Sequence, residues 1–289
     1  KHNLLLEFKS EYGPSRLNYA FFGEEGSGNY NKLVLRAEFC NSWTHHGHDQ
    51  RVIATYQRDI WTKDTQRDMG HPSSNSIHVN LYINGIYWGL YAPSERMDAD
   101  FGEKYLGGNA EDYDVIKDQT EVADGTWDAW NQMLGMAAGL TSRESYMKMQ
   151  GKLPDGTPDP ANNAMLDVVN LADYMLLNFY GNNTDWDHHN WAAIRNRVDP
   201  GSGFKFLSWD AEHMVKDLNG NNLNENNSRC PSYVFTQLKK IEDFRRLFAD
   251  RIQKHCFNNG ALTPEAGIAR WMERRNQVEP AIVAESARW

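Results

Sequence analysis

The chain has 289 residues, of which 40% are hydrophobic and 12% aromatic, enough for a sizeable core in one large domain or in two lobes. Its formal net charge is -9, and no run of Lys or Arg reaches the density expected of a nucleic-acid-binding surface. We therefore expect no nucleic-acid partner. A nucleotide is still compatible with this charge, because a polyphosphate needs only a few local cations, a divalent metal or a helix N-terminus.

The cysteines and the ends of the chain give little functional information. Cys40, Cys230 and Cys256 are far apart in sequence and have no paired metal-ligand spacing, so they do not fix the redox compartment. No stretch approaches the roughly 20 apolar residues of a membrane span. The chain starts at Lys1 without an initiator Met or a signal-peptide pattern, and we therefore expect it to be a piece of a longer protein.

The first half of the chain predicts mainly strands with one long helix. The apolar spacing and the turn residues predict strands at 4–8 and 33–39, an amphipathic helix over 51–69 that ends at Gly70, and strands at 77–83 and 86–91. The last two strands flank Asn84-Gly85, a strong signal for a β-hairpin turn.

The second half predicts helices around one further hairpin. Its elements are a helical stretch over 127–140, a surface loop rich in Pro and Gly at 151–161, a helix over 163–180, strands at 191–197 and 204–209, and a mainly helical region over the final 60 residues. Gly181 is a natural stop for the helix before the polar loop, and the second strand of the hairpin delivers Asp210 at its end.

Three residues in this region have the spacing of a phosphoryl-transfer centre. Such a centre needs a carboxylate that orients the acceptor, oxygen ligands for Mg²⁺, and a cation on the phosphates. Asp185 and Asn190 are separated by five positions in a loop that follows a helix, which is the interval of a protein-kinase catalytic loop. Asp210 follows a hairpin, as the metal-binding Asp of kinases does. Spacing alone is a weak signal, because Asp and Asn are common in loops.

Several longer segments carry a more specific pattern. They read G-N-N-T-D-W-D-H-H-N-W at 181–191, F-L-S-W-D-A-E at 206–212, L-Y-I-N-G-I-Y-W-G-L-Y-A-P-S-E-R at 81–96, R-D at 58–59, L-T-P-E-A at 262–266 and A-E-S-A-R-W at 284–289. Together they resemble the spore coat protein H (CotH) family of atypical protein kinases over nearly the whole chain. The family's usual stretch before the first strand, rich in Arg, Gly, Ser and Lys, is absent from these residues, and only Lys1 corresponds to its end.

The resemblance implies a role for each residue that matches the family's motifs. It implies that Asp185 is the catalytic-loop Asp, that Asn190 is a metal ligand, and that Asp210 corresponds to the Asp of the Asp-Phe-Gly motif. In this sequence Asp210 is followed by Ala211 and Glu212, so Glu212 is an additional candidate metal carboxylate. The segment 92–95 then resembles the hinge beside the adenine, where Glu95 is the candidate nucleotide-binding residue through its backbone.

The cation on the phosphates is our inference from the elements. Arg36 lies in the predicted strand 33–39, and Asp59 on the next helix can hold it in a bidentate pair, a geometry that suits Arg better than Lys. We therefore take Arg36 and Asp59 as further nucleotide-binding candidates.

Other groups in these loops have competing interpretations. Asp187 is a rival for Asp185 but lacks the five-residue interval to Asn190, and His188 and His189 are expected to be structural or to face the substrate, although a His there can also act as a base or metal ligand. The His-rich segment 44–49 is expected to be a solvated loop. The segment 217–221 resembles the start of a calcium loop but lacks the required Gly and Glu, so a solvent-exposed loop is expected, with a weak Ca²⁺ site as the alternative.

These observations predict an α+β fold of the two-lobed, atypical protein-kinase type. Residues 1–92 would form a β-rich N-terminal nucleotide-binding lobe and residues 93–289 a mainly helical catalytic lobe. The expected function is transfer of the γ-phosphate of ATP, with Mg²⁺ or Mn²⁺, to a Ser or Thr hydroxyl of a protein substrate. The alternatives are a non-catalytic surface binding module and a kinase that acts on a non-protein acceptor such as a glycan. From the family resemblance we expect the protein to be secreted or at the cell surface.

Overall fold

A computed structural model describes residues 1–217 and 219–289. Along these residues, antiparallel strands alternate with helices. The strands are β1 Leu4–Glu7, β2 Leu17–Asn18, β3 Asn29–Tyr30, β4 Lys32–Arg36, β5 Val79–Ile83, β6 Ile86–Glu95, β7 Tyr113–Lys117, β8 Glu121–Asp124, β9 Trp191–Asn196 and β10 Lys205–Ser208. The α-helices are α1 His48–Val52, α2 Arg58–Asp68, α3 Ala99–Leu106, α4 Asp128–Ala138, α5 Arg143–Met149, α6 Val168–Tyr180, α7 Pro231–Leu238, α8 Glu242–Cys256 and α9 Pro264–Arg288.

Within the described ranges, the strands form two four-stranded sheets and one short ribbon. The first sheet has the order β1-β4-β6-β5 and the second the order β10-β9-β7-β8, while β2 pairs with β3. All of these pairings are antiparallel. This confirms the mixed α and β composition expected of a kinase-like fold. The two-lobed arrangement stays a prediction, and the predicted division between residues 92 and 93 falls within β6.

The predicted hairpin at Asn84-Gly85 is confirmed. Asn84 and Gly85 have φ values of 51° and 77°, so both central residues of the turn are left-handed, as a type I′ hairpin turn requires. The second strand runs on to Glu95, four residues beyond the predicted end at Tyr91, because its far half pairs with β4 from Leu33 to Arg36. One strand therefore joins the hairpin to the sheet centre.

The single helix predicted over 51–69 is wrong. The structure has α1 and α2 instead, separated by residues 53–57, because Tyr56 takes a left-handed φ of 62° that cannot continue a helix. The backbone N–H of Tyr56 donates to the carbonyl of Asn41 at 3.0 Å, and its buried ring lies in a small apolar cluster with Leu90 and Val278. Tertiary contacts thus override the helical spacing of the apolar residues.

The helix predicted over 163–180 begins five residues late. Asp167 caps α6 by accepting hydrogen bonds from the backbone N–H groups of Val169 and Asn170, and Leu166 forms an isolated parallel bridge with Phe204. The residues before Asp167 therefore run beside the strand that leads to Asp210. The end of the helix at Tyr180, the loop at 151–161 and the helical final region are as predicted.

The large core lies under the second sheet. Trp130 of α4, Tyr174 of α6 and Trp191 of β9 are fully buried there, and Phe206 of β10 contacts all three. Because β9, β10 and α6 share this core, the loop between α6 and β9 is held at both ends. Among the described residues, every helix is either too short or too polar to traverse a bilayer.

The C-terminal helix α9 packs along α2 through two arginines. Arg274 makes a bidentate pair with Asp64, with Nε 2.6 Å from Oδ2 and Nη2 2.8 Å from Oδ1. Arg270 donates to Asp68 at 2.6 Å and to Thr65 at 3.1 Å. The Arg274–Asp64 pair is largely shielded from water, so it is stronger than an ordinary surface ion pair, whereas Asp68 is half exposed. Helix α9 thereby holds α2 in place.

We expect Arg274→Gln to lower the free energy of unfolding by about 2 kcal/mol, because Asp64 loses a bidentate, largely buried partner. The neighbouring Arg275 provides a matched control, since it is 49% exposed and its partner is the exposed Glu279 one turn away. Arg275→Gln should change the free energy by less than about 0.5 kcal/mol. Urea unfolding of the two variants measures the difference, and equal losses would show that α9 is not held to α2 through this pair.

Candidate active site

Helix α2 fixes the end of β10, where Asp210 lies. The side-chain amide of Gln66 donates to the carbonyl of Phe206 at 2.8 Å and accepts from the backbone N–H of Ser208 at 2.8 Å. Two turns earlier on α2, Asp59 accepts from the backbone N–H of Ala211 at 2.9 Å. These three bonds lock the backbone on both sides of Asp210, which takes a left-handed φ of 55° that Asp tolerates better than most residues.

Arg36 is the centre of a buried group of charges. Its guanidinium contacts the carboxylates of Asp210 and Glu212 through Nη2, the latter at 2.7 Å. Its Nε lies 3.3 Å from Asp59 and 3.7 Å from Glu38. Burial alone would lower the pKa of Arg36, but the surrounding carboxylates raise that pKa well above its usual value. The guanidinium is therefore permanently charged.

The bidentate pair predicted between Arg36 and Asp59 is not the geometry found. The pair is a single contact at Nε, whereas Lys63 takes the same Asp59 oxygen at 2.7 Å from one helical turn along α2. Together, Lys63 and Arg36 hold the pKa of Asp59 below its ordinary value against the effect of burial, so Asp59 stays ionised.

Two of the carboxylates are held in an unusual state. Burial raises the pKa of Glu212 to about 7, with the guanidinium of Arg36 opposing this and Asp210 adding to it. Burial and the Glu212 charge raise the pKa of Glu38 well above its usual range. Both carboxylate oxygens of Glu38 are buried without a hydrogen-bond donor among the described residues. This is a costly arrangement that calls for a further cation or a bound proton.

A count of charges shows what the group can hold. Among the described residues in direct contact, four carboxylates surround two buried cations, Arg36 and Lys63, so these six groups carry two negative charges in excess when fully ionised, with Arg58 acting on Glu38 and Glu212 only at longer range; the carboxylates are Glu38, Asp59, Asp210 and Glu212. One divalent cation would neutralise that excess. Asp210 is the open side of the group, with 39% of its side chain exposed, and carboxylate oxygen is the donor that Mg²⁺ prefers. The residues present therefore fit a divalent metal.

The loop 181–190 is anchored by two buried side chains. Trp186 donates from its indole N–H to the hydroxyl of Tyr174 at 2.8 Å. Asp187 accepts from the backbone N–H of Ser232 at 2.6 Å, from the Ser232 hydroxyl at 2.9 Å and from the Asn227 amide at 2.8 Å. Because Asp187 has no exposed surface and its carboxylate is fully engaged, it holds the loop to the start of α7.

Asp185, in contrast, is presented to solvent. Its side chain is 37% exposed, with Oδ1 2.9 Å from His189 Nε2 and Oδ2 3.2 Å from the Asn190 amide nitrogen. The same amide nitrogen donates to the backbone carbonyl of Asp185 at 2.8 Å. Because the side-chain N–H groups of Asn190 donate to Asp185, the side-chain oxygen of Asn190 is available to another partner. An amide oxygen in this position is suited to bind a metal ion.

The loop that carries Asp185 lies near the buried group of charges around Arg36. The thiol of Cys40 shows this, because after burial the charges of Glu212, Asp210 and Asp185 are the next causes that raise its pKa to about 11. The backbone N–H of Cys40 also donates to Glu212 at 2.6 Å. Asp185, Asp210 and Glu212 therefore converge around residue 40, although they come from separate loops.

An apolar cavity of about 230 Å³ opens beside this centre, between the two sheets. Its lining comes from β1, β4, β7, β8 and β9 and from the residues that follow β6 and β10: Asn3, Leu4, Leu5, Val34, Arg96, Met97, Lys117, Ala123, Ala192 and Trp209. Trp209 directly precedes Asp210, and Arg36, Lys63 and Lys117 lie 5.2, 5.3 and 5.4 Å from its ring centroid. The cavity thus combines flat apolar walls with cations at one end.

Glu95 lies apart from this cavity. Its buried carboxylate accepts hydrogen bonds from the backbone N–H and side-chain amide of Asn75, both at 2.9 Å, and from the hydroxyl of Tyr105. The next residues, Arg96 and Met97, line the cavity instead. The segment predicted to lie beside the adenine is therefore adjacent to the cavity, while the Glu95 side chain braces the neighbouring loop.

Sequence reasoning missed four contributors to the centre: Glu38, Lys63, Gln66 and Trp209. The spacing of Asp59, Lys63 and Gln66 on one face of α2 was a usable signal, because i,i+4 and i,i+3 neighbours share a face. The predicted loop at 217–221 includes Leu218, which lies outside the described residues.

Comparison with known proteins agrees with the resemblance seen in the sequence. A family model described as CotH kinase protein matches residues 1–289, the whole chain. A comparison with curated proteins finds none that matches.

Proposed function

Because the chain belongs to the CotH kinase protein family, we propose that it is an ATP-dependent protein kinase whose two lobes, 1–92 and 93–289, meet at the apolar cavity. The observation that supports this best is the meeting of Arg36 with Asp59, Asp210 and Glu212 directly beside that cavity. A cation, metal carboxylates and an apolar slot are the parts that phosphoryl transfer from a nucleotide needs.

In the proposed complex the adenine lies in the cavity and the phosphates point toward Arg36. Val34, Met97 and Ala192 supply flat apolar contacts, and backbone groups near Arg96 are available to the adenine edge. Lys117 is 31% exposed and lies on the cavity wall, so it adds a second cation within reach of the nucleotide. Lys63 acts indirectly, because it neutralises Asp59 and is fully buried.

Asn190 and Asp210 would hold the Mg²⁺ or Mn²⁺ ion, with Glu212 as a further carboxylate. Bound there, a divalent ion neutralises charge on the phosphate oxygens. Glu212 is already engaged by Arg36 and the Cys40 N–H, so its carboxylate is fixed before any ligand arrives. Asp59 stays a structural acceptor for Ala211 and keeps Asp210 in position.

Asp185 is the proposed acceptor-orienting residue. It accepts the proton of the substrate hydroxyl while the hydroxyl oxygen bonds to the γ-phosphorus and the bond from that phosphorus to the ADP oxygen breaks. Its partial exposure lets a substrate reach it, and the bonds from His189 and Asn190 fix its orientation. We propose a Ser or Thr hydroxyl of a protein as the acceptor and, from the family resemblance, an extracytoplasmic location.

The direct test is phosphate transfer from ATP labelled at the γ-phosphate, with Mg²⁺ or Mn²⁺, to the protein itself and to candidate protein substrates. We expect metal-dependent incorporation of label at Ser or Thr, identified by mass spectrometry. Binding of Mg-ATP in calorimetry without transfer to any protein would overturn the protein-kinase proposal. Transfer to a glycan hydroxyl alone would replace the acceptor class and keep the chemistry.

The proposed adenine site predicts the effect of filling the cavity. Ala123 is half-buried on β8 and lines the cavity. The phenyl ring of Ala123→Phe would occupy the space proposed for the adenine. We therefore expect ATP binding to weaken by roughly tenfold or more, which corresponds to at least about 1.4 kcal/mol. Calorimetric titration with an ATP analogue measures this. Ala161→Phe, on an exposed loop away from the cavity, is the control and should leave affinity unchanged.

A further inference from the structure

The loop that carries Asp185 also contains a second, nitrogen-rich group of metal ligands. Asp185, His188 and His189 each offer one ligand atom, and these atoms all lie within 4.8 Å of one another. His189 Nε2 is 2.9 Å from Asp185 Oδ1, and the two imidazole rings are 3.9 Å apart between centroids. In a tetrahedral site with bonds of about 2.0–2.2 Å, neighbouring ligand atoms are roughly 3.3–3.6 Å apart, which these separations bracket.

The loop is built so that these three side chains stay together. The buried Trp186 and Asp187 fix the backbone between Asp185 and His188, and the His188 carbonyl accepts from the Gln119 amide at 3.0 Å. Asn190 fixes the other end through its bonds to Asp185. The three ligand atoms therefore start close together, and in a tetrahedral site the fourth position would be left for a water molecule.

The donor atoms of Asp185, His188 and His189 favour a different ion from the Mg²⁺ proposed at Asp210. Two imidazoles and one carboxylate suit Zn²⁺ and other borderline first-row ions, whereas Mg²⁺ avoids nitrogen and prefers oxygen. We propose that Asp185, His188 and His189 form an inhibitory Zn²⁺ site, separate from the site of the Mg²⁺ ion required for catalysis. A bound Zn²⁺ would occupy the Asp185 oxygen that the substrate hydroxyl needs, so it blocks the acceptor side while ATP still binds. The inhibitory part rests on the proposed kinase function.

The binding test uses Zn²⁺ itself, titrated calorimetrically into the whole chain with Mg²⁺ in large excess to occupy the oxygen sites. We expect one Zn²⁺ per chain, and roughly tenfold or more weaker binding in His188→Ala and in His189→Ala, because each removes a direct ligand. Co²⁺ in place of Zn²⁺ should give a visible absorption band that the same variants lose. His48→Ala, which removes another exposed histidine, should leave the affinity unchanged.

Cys40 provides the sharpest alternative, since its thiol lies near Asp185 and thiolates bind zinc well. If Cys40→Ser abolishes Zn²⁺ binding and His188→Ala does not, the proposed site is wrong. Absence of Zn²⁺ binding in the presence of Mg²⁺ overturns it as well.

The activity test is separate. With saturating Mg-ATP, Zn²⁺ should lower the phosphoryl-transfer rate of the unchanged chain, and the concentration for half inhibition should rise roughly tenfold or more in His188→Ala, each variant being compared with its own zinc-free rate. Zinc binding at these residues without inhibition would overturn the claim that the ion competes for Asp185. Absence of transfer under all conditions would sink the kinase proposal and leave the zinc site to be decided by calorimetry.

Discussion

Asp210→Asn is expected to lower the rate of phosphoryl transfer roughly 10³-fold, equal to about 4 kcal/mol of additional barrier. The substitution keeps the size of the side chain and removes its charge on the open side of the Arg36 group. Arg36 then lacks one of its four carboxylates, and the excess negative charge of the group that suits a divalent ion falls from two to one. The loss should appear in kcat and as weaker binding of Mg²⁺ in the presence of ATP.

The fold should survive this change, which makes the test informative. Asp210 is partly exposed, and Arg36 keeps Asp59 and Glu212 as partners, so thermal unfolding should shift by only a few degrees. Asp250→Asn, an exposed acid on α8, is the matched control and should leave both rate and metal binding unchanged. A fully active Asp210→Asn variant would exclude this carboxylate as a metal ligand.

Local sequence patterns predicted the features of this fold that depend on neighbours in the chain. The Asn84-Gly85 turn, the end of α6 at Gly181 and the hairpin before Asp210 each depend on residues within a few positions, and the structure has all three. The choice of Asp185 over Asp187 also rested on a local interval. That choice stays a prediction, and the structure supports it with an observation that the interval does not contain: the Asp187 carboxylate is buried and bonded to Ser232 and Asn227.

The rest depends on contacts between distant segments, which a single sequence does not display. Arg36 lies 174 positions from Asp210, and Gln66 lies 140 positions from Phe206. The break between α1 and α2 follows from burial of Tyr56 against residues of β6 and α9. A bidentate pair of Arg36 with Asp59 was a reasonable local expectation, but Lys63 competes for the same carboxylate and leaves the guanidinium free to reach Asp210.

The buried charges therefore position the centre more than they stabilise the protein. Taking several ions out of water costs several kcal/mol each, and their mutual attraction recovers this cost only when hydrogen bonds satisfy the remaining atoms. The two oxygens of Glu38, which accept no hydrogen bond within the described part of the chain, and the raised pKa of Glu212 indicate that recovery is incomplete. Buried negative charge that is incompletely compensated in this way is expected at a site that binds an additional cation.

Asp185→Asn and Asp187→Asn should separate catalysis from stability within one loop. Asp185→Asn removes the proposed acceptor of the hydroxyl proton and should lower kcat by roughly 10²–10⁴-fold, the usual contribution of a positioned base. ATP affinity should be unchanged, since Asp185 lies on the proposed acceptor side and its side chain is 37% exposed. The free energy of unfolding should change by less than about 0.5 kcal/mol, as for other partly exposed side chains.

Asp187→Asn should have the opposite profile. Its carboxylate accepts three hydrogen bonds, two of them from Ser232 at the start of α7, and an amide there would place N–H groups against the same donors. Losing these charge-assisted bonds in a buried position should cost about 1–3 kcal/mol of folding free energy. The kcat of the folded fraction should stay within a few-fold of the original, because burial keeps Asp187 from substrate. Kinetics and urea unfolding on both variants decide the matter: if Asp187→Asn abolished transfer without loss of stability and Asp185→Asn stayed active, the two roles would be reversed.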